Sequence, residues 1–227
     1  MSNPPVSSRL TSRAVIAVTG LLLAVGLVLS VAAALGARLP GDLPVARGVQ
    51  SLATLWLDTV MKAVTLLGKS YVAGASILAA AVAFALARRW AEVATFLGTA
   101  VMEVAVQVLK TLIDRPRPPD ELLRVMESGT SGSFPSGHAY HAVVFGGLLL
   151  ALAVPGICRR WLRRALAALV LLLAIAISVS RVYLGAHWPS DVMGSVALGI
   201  PSVALLVYLY RSLGGGESPS QEDGLRQ

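Results

Sequence analysis

The sequence predicts an all-α fold, a polytopic membrane bundle of six transmembrane helices with one amphipathic helix at the membrane surface. Of the 227 residues, 56% are hydrophobic and 14% are charged. The mean hydropathy of +0.73 is higher than that of a soluble domain with a polar surface. Six separate stretches are apolar and approach or exceed the length that crosses a hydrocarbon core of about 30 Å. Because no internal repeat or second domain is evident, we predict one domain over residues 14–211.

The first predicted span covers residues 14–36, which carry no charge and follow a polar segment, 1–13, with Arg9 and Arg13. We interpret this span as a signal anchor. A cleaved signal peptide is the alternative, but its apolar core would normally be only about 7 to 15 residues long. The other five spans are apolar stretches bounded by polar loops: 71–87, 90–110, 135–157, 165–179 and 191–210.

A polar stripe marks the predicted amphipathic helix over residues 48–69. Its polar side chains recur at three- and four-residue spacing, which places them on one helical face: Ser51, Thr54, Asp58, Lys62, Thr65 and Lys69. Such a helix could line the bundle or lie on the membrane surface. We favour the surface because a spanning role would invert the charge bias described next.

The basic residues predict the orientation of the bundle. With six spans both termini lie on one side of the membrane, and that side holds the basic clusters of the short loops. These are Arg9, Arg13, Arg88, Arg89, Arg159, Arg160, Arg163, Arg164 and Arg211. The positive-inside rule makes that side the cytoplasm. We therefore expect a multi-pass protein of the plasma (inner) membrane with a cytoplasmic N-terminus (1–13) and a disordered, Gly/Ser/Glu-rich cytoplasmic tail (212–227).

Composition argues against several other classes of protein. The net charge of +7 could suggest a nucleic-acid binder, but the basic residues are dispersed and only 6% of residues are aromatic. No basic stripe carries stacking aromatics, so we expect no nucleic-acid partner. The single cysteine, Cys158, excludes an intrachain disulfide and a cysteine-based metal cluster. Its position beside Arg159 and Arg160 suggests a cytoplasmic loop.

The third predicted span carries polar side chains along one helical face: Glu92, Thr95, Thr99, Glu103, Gln107 and Lys110. Ionisable groups within a membrane usually face the protein interior and indicate function. The alternative is an ion-paired structural stripe, which we favour for Glu92 and Glu103. Lys110 differs because a Pro-rich loop that contains Arg117 follows it.

The stretch between the fifth and sixth spans, 180–191, gathers a cation, an imidazole and a carboxylate. Pro189 suits the first position of a helix, so Asp191 falls in the first turn, where a carboxylate is favoured and can reach back toward His187. Such a carboxylate fixes the tautomer of the imidazole and leaves the other ring nitrogen basic, as a nucleophile or a general base requires. Arg181 adds a planar group suited to phosphate. An ordinary Arg–Asp ion pair beside a satisfied histidine is the alternative.

Three segments meet at the outer face of the predicted bundle and together suggest a phosphate site. Lys110, Arg117 and Arg181 supply three cations. The start of the fourth span adds free backbone amides, the hydroxyl group of Ser136 and a Gly137 that allows close approach, which is a common way to hold a phosphate. On their own, Ser136 and Gly137 could be only a helix start.

Two histidines at such a site predict a division of labour. Asp191 makes His187 the candidate that attacks phosphorus. His138 has no carboxylate neighbour in sequence and is the better candidate to protonate the departing oxygen. His141 lies one turn further along the same helix. It could be a third participant, but we favour a polar residue that faces the bundle.

Three ordered motifs resemble the signature of the type 2 phosphatidic acid phosphatase superfamily, in its membrane lipid phosphatase branch. They are Lys110-x6-Arg117-Pro118, Pro135-Ser136-Gly137-His138 and Ser180-Arg181-x5-His187-x3-Asp191. The order of spans and motifs also matches the membrane members, and the resemblance covers roughly residues 70–210. The hydropathy argues against the soluble vanadium-dependent haloperoxidases, which are built on the same residues.

The resemblance implies a role for each matching position. It implies phosphate binding by five residues: Lys110, Arg117, Ser136, Gly137 and Arg181. It implies catalysis by three more, of which His187 forms a phosphohistidine, Asp191 orients His187, and His138 protonates the leaving group. Water would then hydrolyse the intermediate, and neither a metal nor another cofactor would take part.

The expected activity is hydrolysis of a lipid phosphate or diphosphate at the outer face, in bacterial envelope metabolism. Undecaprenyl diphosphate, phosphatidic acid, phosphatidylglycerol phosphate and a lipid A phosphate remain open as substrates, because the motifs recognise only the phosphate. One alternative is a phosphotransferase that passes the phosphoryl group to an acceptor other than water. Another is a non-catalytic transporter or binding protein, although such a protein gains little from an oriented, unprotonated imidazole beside phosphate.

Overall fold

The computed structural model describes residues 6–36 and 38–215, with side chains from residue 13 onward, and every regular element in these ranges is helical. The helices are α1 (Val6–Ala34), α2 (Asp42–Gln50), α3 (Leu55–Leu66), α4 (Ser70–Leu86), α5 (Trp90–Ile113), α6 (Gly137–Leu148), α7 (Arg160–Tyr183) and α8 (Pro189–Ser212). A wider turn, Leu149–Ala153, and a tighter one, Val154–Gly156, extend α6. The all-α prediction is confirmed. Most of the predicted tail, 216–227, and the start of the predicted N-terminal segment, 1–5, lie outside the described residues.

Within the described residues, five helices are long and apolar enough to cross a membrane: residues Arg13–Ala34 of α1, α5, the extended α6 (Gly137–Gly156), α7 and α8. A sixth span results if α3 and α4, which are bent by 51° at their junction, form one span. Large apolar side chains are exposed along these helices, for example Ile16, Leu172 and Tyr208, as expected of a surface in contact with lipid. The chain is therefore a multi-pass membrane protein.

The stretch 48–69 corrects the prediction of one continuous amphipathic helix. Residues 48–50 end α2, a turn follows, and Thr54 begins the next helix. Thr54 has an extended backbone, and its side-chain oxygen accepts the backbone N–H of Leu57 at 3.4 Å. This is an N-cap, which satisfies one of the free amides at the start of α3 and so favours a new helix at this point.

The polar side chains of α3 face the protein. The hydroxyl group of Tyr183, at the end of α7, donates to Asp58 at 2.6 Å. About two turns of α3 further on, the hydroxyl group of Thr65 accepts a hydrogen bond from Arg181, also on α7. The polar stripe predicted from the sequence therefore ties α3 to the end of the helix that carries one of the candidate site residues.

The helices pack closely around α8, which contacts α1, α5 and α6. A Cβ atom at Gly199 would lie 2.8 Å from Cγ1 of Val143, so glycine permits the approach of α6. The hydroxyl groups of Ser202 and Tyr140 lie 2.7 Å apart across the same interface. Small and polar residues of α8 therefore permit its close contact with α6.

One end of the bundle collects all three motifs. It contains the end of α5, the loop 114–136, the start of α6, the end of α7 and the start of α8. There α2 and α3 pack against α7. The arginine-rich connections between α4 and α5 and between α6 and α7 lie at the opposite end of these helices. The fold therefore separates the candidate site from the basic clusters.

Candidate active site

The turn between α7 and α8 places His187 against Asp191. As predicted, α8 begins at Pro189 and holds Asp191 in its first turn. Oδ2 of Asp191 accepts the backbone N–H of Trp188 at 2.8 Å, which closes the start of the helix. Nδ1 of His187 lies 3.5 Å from the same oxygen. Because Nδ1 faces the carboxylate, Nε2 is the ring nitrogen that can face a ligand.

Asp191 is also held by groups that the sequence analysis missed. Its side chain is fully buried, and it accepts hydrogen bonds from Nη1 of Arg115 and from the hydroxyl group of Ser133. Nη2 of Arg115 contacts a second buried carboxylate, Oδ2 of Asp42, at 2.8 Å. Asp42 in turn accepts the backbone N–H of Ser190 at 2.9 Å and its hydroxyl group at 2.8 Å.

Arg115 thus lies between two buried carboxylates, which we name the Asp42–Arg115–Asp191 network. Buried charges are stable only when they are paired and hydrogen-bonded. The network therefore fixes the position of the carboxylate that faces His187, and it attaches α2 to the start of α8. In sequence, Arg115 resembles any other basic residue of a loop. Asp42 is 73 positions from Arg115, a separation at which local patterns carry no signal.

A cavity of about 780 Å³ brings six of the eight predicted site residues together. They are Lys110, Arg117, Gly137, His138, Arg181 and His187. The other two, Ser136 and Asp191, have no exposed surface. Ser136 directly precedes Gly137 in the chain, and Asp191 faces His187. Segments that are distant in sequence, from α5, α6, α7 and two loops, therefore converge on one space.

Backbone carbonyl groups hold Arg117 in the wall of the cavity. Nε donates to the carbonyl oxygen of Ser131 at 2.9 Å, and Nη1 donates to that of Ala186 at 2.7 Å. Burial, and then the nearby charge of Arg181, lowers the pKa of Arg117 from its usual value, because both disfavour the charged form. These neutral partners orient the guanidinium without cancelling its charge, so it can still bind an anion.

Arg181 forms an ion pair with a carboxylate that the sequence analysis did not select. Nη1 of Arg181 lies 2.6 Å from Oε2 of Glu127, in the loop before α6, and also contacts Thr65. The other oxygen of Glu127 lies 3.8 Å from Nζ of Lys69. Glu127 itself lines the cavity. Its carboxylate therefore accepts a hydrogen bond that Arg181 would otherwise donate to a phosphate.

Several buried polar atoms beside the cavity have no hydrogen-bond partner. They are Oγ of Ser136, Nε2 of His138, Nε of Arg181 and Nδ1 of His187, the last of which faces Asp191 at a longer distance. Buried polar atoms nearly always have partners, so this concentration indicates that a polar ligand completes the site. A Cβ atom at Gly137 would meet no other atom within 4 Å, which places this residue at open space.

Gly68 is a further site residue that the sequence analysis missed. It lies between α3 and α4, where a Cβ atom would come within 2.6 Å of Cδ2 of His138. Glycine therefore lets the bend between these helices pack directly on the imidazole. A glycine between an amphipathic stretch and an apolar one signals a helix break, but not the residue that the break contacts.

One turn beyond His138, His141 lines the same cavity and pairs with Glu103, whereas Glu92 pairs with Arg89 at the far end of α5. Within the described ranges, no three His, Cys, Asp or Glu side chains form a group that could hold a metal ion.

Comparison with known proteins identifies the family. The model of the PAP2 superfamily matches residues 91–214. The chain belongs to the PAP2 superfamily. A characterised relative, phosphatidylglycerophosphatase B of Bacillus subtilis (strain 168), is 31% identical over 149 residues, which cover 64% of this chain and 71% of the relative. The resemblance drawn from the three motifs is thereby confirmed.

Two solved structures share the PAP2 fold of this chain. The crystal structure of a transmembrane PAP2-type phosphatidylglycerolphosphate phosphatase from Bacillus subtilis aligns with a TM-score of 0.73 at 23% identity, over 86% of this chain and 96% of that one. The structure of LpxE from Aquifex aeolicus aligns with a TM-score of 0.62 at 22% identity, over 75% and 97% of the respective chains. Both support the membrane bundle described above.

Proposed function

We propose that this PAP2 chain hydrolyses a lipid phosphate or diphosphate through a phosphohistidine at His187, at the outer face of the plasma membrane. One observation carries the proposal: a single cavity has cations and imidazoles at one end and apolar side chains at the other. The apolar end is lined by Ala73, Ile77, Leu78, Leu97 and Val104, from α4 and α5. This division matches a charged headgroup joined to a hydrocarbon chain.

In the first step Nε2 of His187 attacks phosphorus while Lys110, Arg117 and Arg181 bind the phosphate oxygens. Fixed cations at these positions stabilise the charge that builds up on the oxygens in the transition state. The bond between phosphorus and the lipid oxygen breaks as the phosphorus–nitrogen bond forms. His138 donates a proton to the departing oxygen, which leaves as the lipid alcohol or, from a diphosphate, as the lipid monophosphate.

In the second step water attacks the phosphohistidine. His138, now neutral, accepts a proton from the water molecule, the phosphorus–nitrogen bond breaks, and inorganic phosphate leaves. Asp191 stabilises the positive charge that develops on His187 during the first step, and the Asp42–Arg115–Asp191 network holds that carboxylate in place.

The proposal is tested by phosphate release from purified protein across lipid phosphates and diphosphates. We expect release to continue in a strong chelator and to be blocked by vanadate, because Lys110, Arg117 and Arg181 supply the positive charge that a metal ion would otherwise supply. The His187→Ala variant, purified in the same way, controls for contaminating phosphatases. Complete loss of activity in chelator, restored by a divalent ion, would contradict the metal-free mechanism. Absence of release from every lipid phosphate would contradict the function.

The pH dependence of this activity should show the state of His187. Burial lowers the pKa of His187 to about 4, although Asp191 acts in the opposite direction. The ring is therefore neutral at pH 7 and can attack phosphorus. We expect kcat/KM to fall about tenfold per pH unit below pH 4, because protonation removes the attacking lone pair.

The Asp191→Asn variant should move this acidic limb to lower pH while lowering the maximum rate, because it removes the group that raises the pKa of His187. Samples returned from acid to pH 7 must regain full activity, which separates titration from unfolding. An acidic limb at the same pH in both proteins would show that His187 does not control it.

The orientation of the bundle can be tested at Cys158, which is exposed in the connection between α6 and α7. If that connection is cytoplasmic, a membrane-impermeant maleimide should label Cys158 in inverted vesicles but not in intact cells. Asp120→Cys in a Cys158→Ser background places a thiol on the outer loop and should give the opposite pattern. Labelling of Cys158 in intact cells with sealed membranes would reverse the proposed orientation.

A further inference from the structure

A second polar cluster lies within the same cavity, deeper in the bundle than the phosphate-binding residues. Oε1 of Glu103, on α5, is 2.5 Å from Nδ1 of His141, on α6. Nε2 of His141 is 3.3 Å from the hydroxyl oxygen of Ser76, on α4. The proposed reaction uses none of these three side chains. Glu103 and His141 nevertheless line the cavity together with His138 and His187.

Helix α5 sets the order of groups along the cavity. Five of its residues recur every three or four positions and so share one face: Lys110, Gln107, Glu103, Ala100 and Leu97. At a rise of 1.5 Å per residue, Glu103 lies about 10 Å from Lys110 along the helix axis. A lipid with its phosphate at Lys110 and its chain at Leu97 must therefore pass Glu103.

Helix α6 gives the same order from the other side. His141 follows His138 by three residues, or about 4.5 Å along the axis. The Glu103–His141 pair thus lies one turn beyond the proposed general acid, on the side toward the apolar end. The part of the lipid that meets the pair is the part joined to the oxygen that His138 protonates.

The geometry points to Glu103 as a specificity-determining residue that accepts a hydrogen bond from a hydroxyl group next to the scissile phosphate. This inference rests on the proposed function. His141 occupies Oε1, whereas Oε2 accepts no hydrogen bond from the described part of the chain. The Glu103 side chain is 26% exposed, and it lines the cavity. The substrate class is a lipid monophosphate with a free hydroxyl group on the adjacent carbon.

If the hydrocarbon chain began directly at the phosphate ester, Oε2 of Glu103 would face an apolar group. A carboxylate in a membrane interior is costly unless a polar group faces it. A site built to hydrogen-bond a substrate hydroxyl group also rejects an analogue without one, because its own polar group is then left unpaired. The competing explanation is that the pair only ties α5 to α6. The two explanations differ in their effect on substrate preference.

The test compares two substrates that differ only at this hydroxyl group: 1-acyl-glycerol 3-phosphate and its 2-deoxy analogue, with the same acyl chain in the same detergent micelles. For the wild-type protein we expect kcat/KM to favour the hydroxyl substrate about 10- to 100-fold, as for a hydrogen bond to a charged group. Glu103→Leu should bring this ratio close to one. Glu103→Gln keeps a weaker acceptor and should give an intermediate ratio.

Glu92→Gln is the matched control. Glu92 is a buried carboxylate of the same helix, bonded by Arg89 at 2.5 Å and by the hydroxyl group of Tyr210 at 2.9 Å, and it does not line the cavity. This variant should keep the wild-type ratio even if it is less stable. If Glu103→Leu fails to fold, the test rests on Glu103→Gln. Its ratio of kcat/KM between the two substrates must then be lower than that of the wild type.

The outcomes separate this inference from the function on which it rests. A wild-type ratio near one, or an unchanged ratio in the Glu103 variants, would overturn the inference and leave a lipid phosphatase. An equal loss of rate on both substrates in the Glu103 variants also leaves the ratio unchanged. It would indicate that the Glu103–His141 pair only holds α5 against α6. Failure of the wild-type protein to release phosphate from either substrate, while it hydrolyses another lipid phosphate or diphosphate, would overturn the inference alone. Failure on every lipid phosphate and diphosphate would overturn the proposed function, and the inference with it.

Discussion

Replacement of His187 by alanine is expected to abolish both phosphate release and covalent labelling, whereas His138→Ala should remain detectably labelled. The reason is that, of these two histidines, His187 is the one that faces a carboxylate, with its Nδ1 3.5 Å from Oδ2 of Asp191. Loss of a positioned general acid typically costs about 10²- to 10⁴-fold. That cost should be greatest when a lipid alkoxide is the leaving group and smaller for an aryl phosphate, whose phenolate can leave without the proton.

The measurement is a rapid quench without acid, using phosphate-labelled substrate, followed by mapping of the acid-labile phosphate. Cys158→Ser, an exposed position at the opposite end of the bundle, controls for the effects of substitution and purification. Label that persists in His187→Ala but is absent from His138→Ala would exchange the roles of nucleophile and acid.

Replacement of Arg115 by methionine should lower the free energy of unfolding by about 3–5 kcal/mol, the usual result of removing one partner from a buried ion pair. Arg115 is 3% exposed and contacts Asp42 and Asp191, which are 1% and 0% exposed. Methionine fills much of the space but leaves two carboxylates facing each other without a cation. Denaturant unfolding in detergent micelles, followed by tryptophan fluorescence, measures the change.

Arg124→Met is the matched control for this loss. Arg124 also pairs with an aspartate, Asp58, at 2.7 Å, but its side chain is 44% exposed. Exposed pairs contribute about 0–1 kcal/mol. If Arg115→Met cost no more than Arg124→Met, the buried network would not be the support of the site that its geometry indicates.

Local signals explain which parts of the structure could be predicted. Long apolar stretches fix the membrane spans because the bilayer imposes their length. Pro189 at the start of a helix fixes the position of Asp191, since the first turn has a defined geometry. The six residues around the cavity could be selected because cations, a helix start and imidazoles recur in one pattern that suits phosphate.

The remaining features depend on contacts between distant segments. Asp42 has no local feature that distinguishes it from other acidic residues, and only the folded chain brings it to Arg115. Glu127 resembles an ordinary loop residue until Arg181 is placed beside it. The stripe over 48–69 has helical periodicity throughout, but the cap at Thr54 divides it, and periodicity alone does not reveal a cap that competes with helix continuation.

The backbone carbonyl groups that hold Arg117 make the stability of the fold depend on whether the site contains an anion. They fix the guanidinium and leave its charge, which repels the charges of Lys110 and Arg181 whenever no anion lies between them. An anion that enters removes this repulsion, and it does so only in the folded chain. On the proposed function, we expect phosphate, vanadate and a lipid headgroup to act as thermodynamic stabilisers as well as ligands. The same linkage predicts that the protein resists unfolding most when its proposed lipid phosphate is abundant, and that depletion of this lipid lowers the stability of the enzyme.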